Sequence, residues 1–112
     1  MDIREITGSY SVSPQITPDE AAAIKAAGFK SVICNRPDNE QPDQPSHDAV
    51  KAAVEAAGLA FRYIPVISGQ MTAQNVEDQA SALAEIEGPV LAYCRSGTRC
   101  TNLFAAIQQA KG

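Results

Sequence analysis

The sequence predicts an α/β domain with a mainly parallel sheet flanked by helices. Three observations carry this. Short apolar runs alternate with Ala-rich segments of helical length, and glycines follow the helical segments. The last apolar run leads through a cysteine, a glycine and two arginines into a final helix. In such sheets binding sites gather at the carboxyl ends of the strands. The loops after Cys34, Val66 and Tyr93 are therefore expected along one edge.

Taken in order, "REITGSYSVSPQ" should hold the first strands, although pattern alone does not give their pairing. "ITPDEAAAIKAAGF" reads as a helix with Thr17 as N-cap, Pro18 at the first helical position and Glu20 closing a capping box. Gly28 ends it. "KSVIC" is a short buried strand, and "NRPDNEQPDQP" is a polar, proline-rich loop. "SHDAVKAAVEAAGL" gives a second helix, capped by Ser46 and stopped by Gly58, before the strand "AFRYIPV". "MTAQNVEDQASALAEIEG" is a third helix, capped by Thr72 and closed by Gly88. "PVLAY" is the last strand and "TRCTNLFAAIQQA" the last helix.

Composition narrows the function. The 112 residues are enough for one domain, 1–112, with an ordinary core. Nine basic against thirteen acidic residues give a net charge of −4, and aromatics make up 5%. Neither a nucleic-acid surface nor base stacking fits that balance. No apolar run reaches the length of a membrane span, and "MDIREITGSY" lacks the apolar stretch of a signal peptide. A cytoplasmic protein is expected. Cys34, Cys94 and Cys100 are an odd number without a CxxC pair, as for thiols in a reducing compartment. His47 is the single histidine, so zinc would have to recruit carboxylates. Neither a metal nor another cofactor is expected.

"VLAYCRSGTRC", residues 90–100, carries the chemistry. A cysteine between a strand end and a helix start sits where N–H groups converge and the helix dipole is positive, and both favour thiolate. Gly97 lets the backbone curl into a nest of donors. Arg99 can hold an anion through two parallel hydrogen bonds, with Arg95 beside it, and Ser96 and Thr98 add hydroxyl donors. A lone cysteine would read as core. The order strand, cysteine, glycine, arginine, helix favours a site with Cys94 and Arg99 as its catalytic pair.

"YCRSGTRC" resembles the loop of rhodanese-type sulfurtransferases, whereas "YIPV" followed by "PVLAYCRSGTR" resembles small dual-specificity phosphatases. Across nearly its full length the chain resembles the beta-lactamase hydrolase-like domain family, through "GFKSVICNRPDNE", "YIPVISGQMT" and "GPVLAYCRSGTR". The resemblance implies a three-layer, cysteine-phosphatase-like fold of the dual-specificity type. Some members of that family are linked to sulfur metabolism, so it leaves the reaction open.

Two features lean toward sulfur. The phosphatase pattern has five residues between cysteine and arginine. Here four separate Cys94 from Arg99, and Cys100 stands at the phosphatase arginine position. The stretch after "IPV" offers Ser68, Gly69 and Gln70 where those phosphatases place an aspartate acid; Asp38, Glu40 or Asp43 would have to substitute. The leading expectation is a sulfurtransferase that carries sulfane sulfur as a Cys94 persulfide from thiosulfate or a persulfide to a thiol or cyanide. Its partners would be a small sulfur-containing anion and a persulfide-handling protein. The alternative is a cysteine phosphatase forming a phosphocysteine at Cys94 on a phosphorylated substrate. A third reading is a redox-sensing module in which Cys100 or Cys34 pairs with oxidised Cys94. Arg36 in "CNRPDNE" is a candidate second anion contact, and His47 is read as a surface histidine.

Overall fold

A computed structural model describes residues 1–111. Five strands form one sheet: β1 (Arg4–Thr7), β2 (Tyr10–Ser13), β3 (Ser31–Cys34), β4 (Ala60–Tyr63) and β5 (Val90–Tyr93). Four α-helices accompany them: α1 (Ala21–Ala26), α2 (His47–Ala56), α3 (Ala73–Glu85) and α4 (Thr98–Lys111). The strand order is β1-β2-β5-β3-β4, with β1 antiparallel to β2 and the other pairs parallel. This is the α/β architecture expected. The pairing of the first two strands, which the pattern left open, is an antiparallel hairpin.

The helix signals act as expected, with local differences. Residues Pro18–Glu20 form a 3-10 turn rather than α-helix, and the Thr17 N–H donates to Glu20 Oε1 at 2.8 Å. Ser46 Oγ accepts from the Ala49 N–H and Thr72 Oγ1 from the Asn75 N–H. Gly28 and Gly58 follow α1 and α2 with φ of 100° and 90°, a region open to glycine. Strand β4 stops at Tyr63 although "AFRYIPV" reads as one run. Pro65 has no N–H for a ladder. The Val66 N–H instead bonds the Asn35 carbonyl at 2.9 Å.

Alternation along the strands sorts the core into two layers. Val32, Cys34, Leu91 and Tyr93 face α1 and α2, where Ile24, Val50 and Val54 pack against them. Tyr10, Val12, Ile33, Val90, Ala92 and Cys94 face the other way, against Ala82 of α3 and Cys100 of α4. Strand β5 is central, pairing with β2 and β3 in matched register, so Tyr93 lies level with Ser13 and Cys34. The carboxyl ends of β2, β3, β4 and β5 thus share one edge, which also receives the start of β1 because Arg4 is opposite Val12.

Leu91 is fully buried on the middle strand. Leu91→Ala is expected to destabilise the fold by about 2–5 kcal/mol, read as a lower urea midpoint with an unchanged slope.

Candidate active site

The loop between β5 and α4 is held from three directions. The Cys94 N–H reaches the Ser13 carbonyl at 3.4 Å, and the Gln15 N–H reaches the Arg95 carbonyl at 3.4 Å, so the end of β2 grips the loop. From β1, Arg4 Nη2 donates to the Ser96 carbonyl at 3.1 Å. From within, the Gly97 N–H donates to Cys94 Sγ at 3.1 Å. Gly97 has φ of 90°, which bends the loop so that this N–H points at the sulfur. Ser96 Oγ and Thr98 Oγ1 lie 3.0 Å apart at the exposed rim, and the Arg95 side chain is exposed beside them.

Cys94 is 1% exposed, yet its pKa is lowered to about 5. A hydrogen bond from the Cys100 thiol lowers it most, burial opposes this, and backbone N–H groups of Cys100, Ser96 and Arg99 add to the lowering. The companion thiols go the other way. Burial, then the bond to Cys94, pushes Cys100 well above the ordinary range, and burial pushes Cys34 up to about 11. One of three cysteines is poised as a thiolate. Cys100 shares a packing cluster with Cys94, whereas Cys34 packs on the opposite face of the sheet.

Arg99 lies on the first turn of α4. Its Nη1 donates to Glu40 Oε2 at 2.7 Å and to the Val66 carbonyl at 2.8 Å, and its Nη2 donates to Glu40 Oε1 at 2.9 Å. Arg99 thereby ties the loops after β3 and β4 to the cysteine loop. Arg36 is 2% exposed and lies beneath the same carboxylate, with Nε to Glu40 at 2.9 Å, Nη1 to Gln15 Oε1 at 3.0 Å and Nη2 to Gln41 Oε1 at 3.3 Å. Hydrogen bonds from Arg99 first, then Arg36, hold the Glu40 carboxyl below its usual range. Asn39, with φ of 65°, turns the chain just before Glu40.

His47 is half-buried rather than a free surface side chain. Its ring stacks on Tyr63 with centroids 3.6 Å apart, Nδ1 lies 2.6 Å from Asp38 Oδ2, and its N–H donates to Asp38 Oδ1 at 2.8 Å. The Asp38 N–H in turn donates to Tyr63 Oη. This cluster pins the loop that carries Glu40. The motifs did not point to it, because stacking across β4 and α2 leaves no local pattern.

Beneath the site runs a buried polar chain that sequence reasoning also missed. Asn35 Nδ2 donates to the Ile64 carbonyl and to Gln79 Oε1, both at 2.9 Å. Gln79 Nε2 donates to Asn35 Oδ1 and Tyr10 Oη, and Tyr10 Oη donates to the Cys100 carbonyl at 2.8 Å. It links β3, α3, β2 and the first turn of α4. The one hint is a glutamine on the apolar side of a helix. Beside the loop, a depression of about 240 Å³ is lined by Val66, Ile67, Gly69, Met71, Arg99 and Asn102. Among the described residues, no group of three or more His, Cys, Asp or Glu side chains is placed to hold a metal.

A helix-flanked, mainly parallel sheet that delivers a low-pKa cysteine into a helix-capped loop defines a cysteine-phosphatase-like α/β domain. The chain belongs to the beta-lactamase hydrolase-like protein, phosphatase-like domain family, whose model matches residues 2–112. A beta-lactamase hydrolase-like protein of Xylella fastidiosa is 38% identical over 112 residues, all of this chain and 26% of the relative. A similarly named protein of Agrobacterium fabrum is 42% identical over 90 residues, 80% of this chain and 21% of that protein. The chain thus spans about a quarter of the length of these curated relatives. Among solved structures, a candidate phosphatase from Neisseria meningitidis superposes with a TM-score of 0.91 at 38% identity, covering all of this chain and 80% of that one. The core catalytic domain of a PP-IP phosphatase from S. cerevisiae, in complex with citrate, gives 0.72 at 13% identity, covering 96% of this chain and 64% of that one; that likeness concerns the fold alone.

These findings overturn the sulfurtransferase expectation, and with it the rhodanese assignment, the Cys94 persulfide, the sulfur-containing anion and the persulfide-handling partner. The family and its structural relatives are phosphatase-like. The spacing misled for a physical reason. A residue count from Cys94 to Arg99 carries no information on where the Arg99 side chain goes, and it turns toward Glu40 and the Val66 carbonyl, both distant in the chain.

The polar chain makes a stability prediction. Gln79→Met, similar in length and apolar, leaves the Asn35 amide with only its bond to the Ile64 carbonyl and its Oδ1 unsatisfied, and is expected to cost about 1–3 kcal/mol in chemical denaturation.

Proposed function

We propose that this domain, residues 1–112, is a cysteine-dependent phosphatase acting on phosphorylated substrates. The observation that carries the reading is the Cys94 thiolate, lowered to about 5 and bonded by the Gly97 N–H, on a phosphatase-like fold. Cys94 Sγ attacks phosphorus, an S–P bond forms, and the ester P–O bond breaks with its electron pair leaving on the substrate oxygen. Water then attacks the phosphocysteine, the S–P bond breaks, and inorganic phosphate leaves as the thiolate is restored.

The loop N–H groups, with Ser96 and Thr98 at the rim, bind the phosphoryl oxygens. Arg99 has two N–H groups beyond the three bonds it makes to Glu40 and Val66: its Nε–H and one Nη2–H. Those donors face substrate, or the Glu40 pair yields to it. Arg95 contacts the substrate outside the phosphoryl group. Arg36 acts beneath the site by holding Glu40. Three free thiols fit a reducing compartment and support a cytoplasmic setting. Among the described residues no helix is long and apolar enough to cross a membrane.

Leaving-group protonation sets a preference. The loop after β4 carries no carboxylate, Glu40 is an ionised acceptor between two arginines, Asp38 is engaged by His47, and Asp43 is an exposed side chain in the loop after β3. Substrates whose oxygen leaves readily as an anion, such as aryl phosphates, are therefore favoured over alkyl phosphates.

Phosphate release from p-nitrophenyl phosphate tests the reading. Wild type is expected to turn over, Cys94→Ser to be inactive, and Arg99→Ala to lose about 10²-fold or more in kcat/KM. Wild type inactive on every aryl phosphate tried, or Cys94→Ser fully active, would falsify it. A leaving-group series adds a second check. The rate is expected to fall steeply as the leaving group becomes more basic, and a flat dependence would mean that a general acid is present.

A further inference from the structure

The peptide group between Ser96 and Gly97 has a partner at each end. Its N–H, on Gly97, donates to Cys94 Sγ at 3.1 Å. Its carbonyl, on Ser96, accepts from Arg4 Nη2 at 3.1 Å. A single planar amide therefore stands between a guanidinium and the sulfur. Drawing on the carbonyl polarises the N–H at the other end and strengthens its bond to an anion. The amide plane is also rigid, so fixing the carbonyl fixes the direction of the N–H.

Two more observations bear on this contact. A Cβ on Gly97 would lie 2.6 Å from Arg4 Nη2, the far end of an exposed, flexible side chain, so the guanidinium sits directly against the turn. Arg4 also forms no ion pair among the described residues, whereas Arg36 and Arg99 share Glu40. The β1–β2 hairpin brings it to the carboxyl edge by placing Arg4 opposite Val12.

We propose that Arg4 is a positioning residue for the nucleophile: by holding and polarising the Ser96–Gly97 peptide it stabilises the Cys94 thiolate, so strand β1 is part of the catalytic device. The other titratable and charged groups on the Cys94 side of the sheet are Tyr10 of β2 and Arg99 and Cys100 of α4, while Cys34 of β3 lies on the opposite face. Arg4 is the contributor from outside the parallel strands and α4. The inference rests on Cys94 as nucleophile but not on any substrate.

The test is a pH titration of thiolate absorbance near 240 nm, with the Cys94→Ser trace subtracted so that only the Cys94 signal remains. Arg4→Met removes the charge and the donor on an exposed edge strand, and its midpoint is expected to rise by about one pH unit. Arg4→Lys should fall between, and Arg4→Gln serves as a second neutral variant if the Met protein folds poorly by circular dichroism. With p-nitrophenyl phosphate, the deficit of Arg4→Met in kcat/KM should shrink as pH rises and the thiolate forms in both proteins. A midpoint equal to wild type in a folded neutral variant overturns the proposal, as does a deficit that does not change with pH. If the titration shifts as expected while no phosphatase activity is found, the Arg4 assignment stands and the phosphatase reading fails.

Discussion

A sulfur anion at the end of a buried strand is the constraint around which this molecule is arranged. Strand β5 runs through the middle of the sheet and delivers Cys94 into the interior, where a charged sulfur is unfavourable without donors. The strand cannot supply them, because its own N–H groups are used in the ladders. The loop, the first turn of α4 and the Cys100 thiol supply them instead. The same burial that opposes ionisation at Cys94 keeps Cys34 and Cys100 as neutral thiols. Selectivity among three similar cysteines comes from which donors point at each.

A second requirement is that the loop hold its shape. Hydrogen bonds from β2 and a guanidinium from β1 grip its backbone, while Arg99 joins it to the loops after β3 and β4. Glu40 joins two of these parts by accepting from both Arg36 and Arg99. Its position depends on the Asp38–His47–Tyr63 cluster and on the turn at Asn39. The polar chain from Asn35 through Gln79 to Tyr10 ends on the Cys100 carbonyl, so the floor of the site is tied to the turn that carries the second thiol. A buried network of this kind favours one arrangement because breaking any of its bonds leaves a buried polar group short of a partner.

The reaction class shows how a motif can be placed rightly in the fold and still carry a wrong inference. The cysteine, glycine and arginine of "YCRSGTRC" lie where strand-to-helix logic puts them, at one edge with the loops after Cys34 and Val66. The count between Cys94 and Arg99 is no measure of the reaction class. Arg99 is directed by Glu40, which lies far away in the chain, and no local count contains that information.

The sequence by itself determined what depends on near neighbours. Capping at Ser46 and Thr72, the glycine stops at Gly28 and Gly58, the continuous apolar run that buries β5 on both faces and the order of strand, cysteine and helix are local, because each follows from backbone geometry over a few residues. The expected stop at Gly88 differs, since α3 ends at Glu85 and Ile86 is already extended. Tertiary structure alone decided which distant side chains met at that loop. The contacts of Arg4 with Ser96, Glu40 with Arg99, Gln79 with Asn35 and His47 with Tyr63 depend on strand order and register. These are the contacts that place donors and charges around the sulfur. They form only after the sheet has brought together parts of the chain that have no pattern in common.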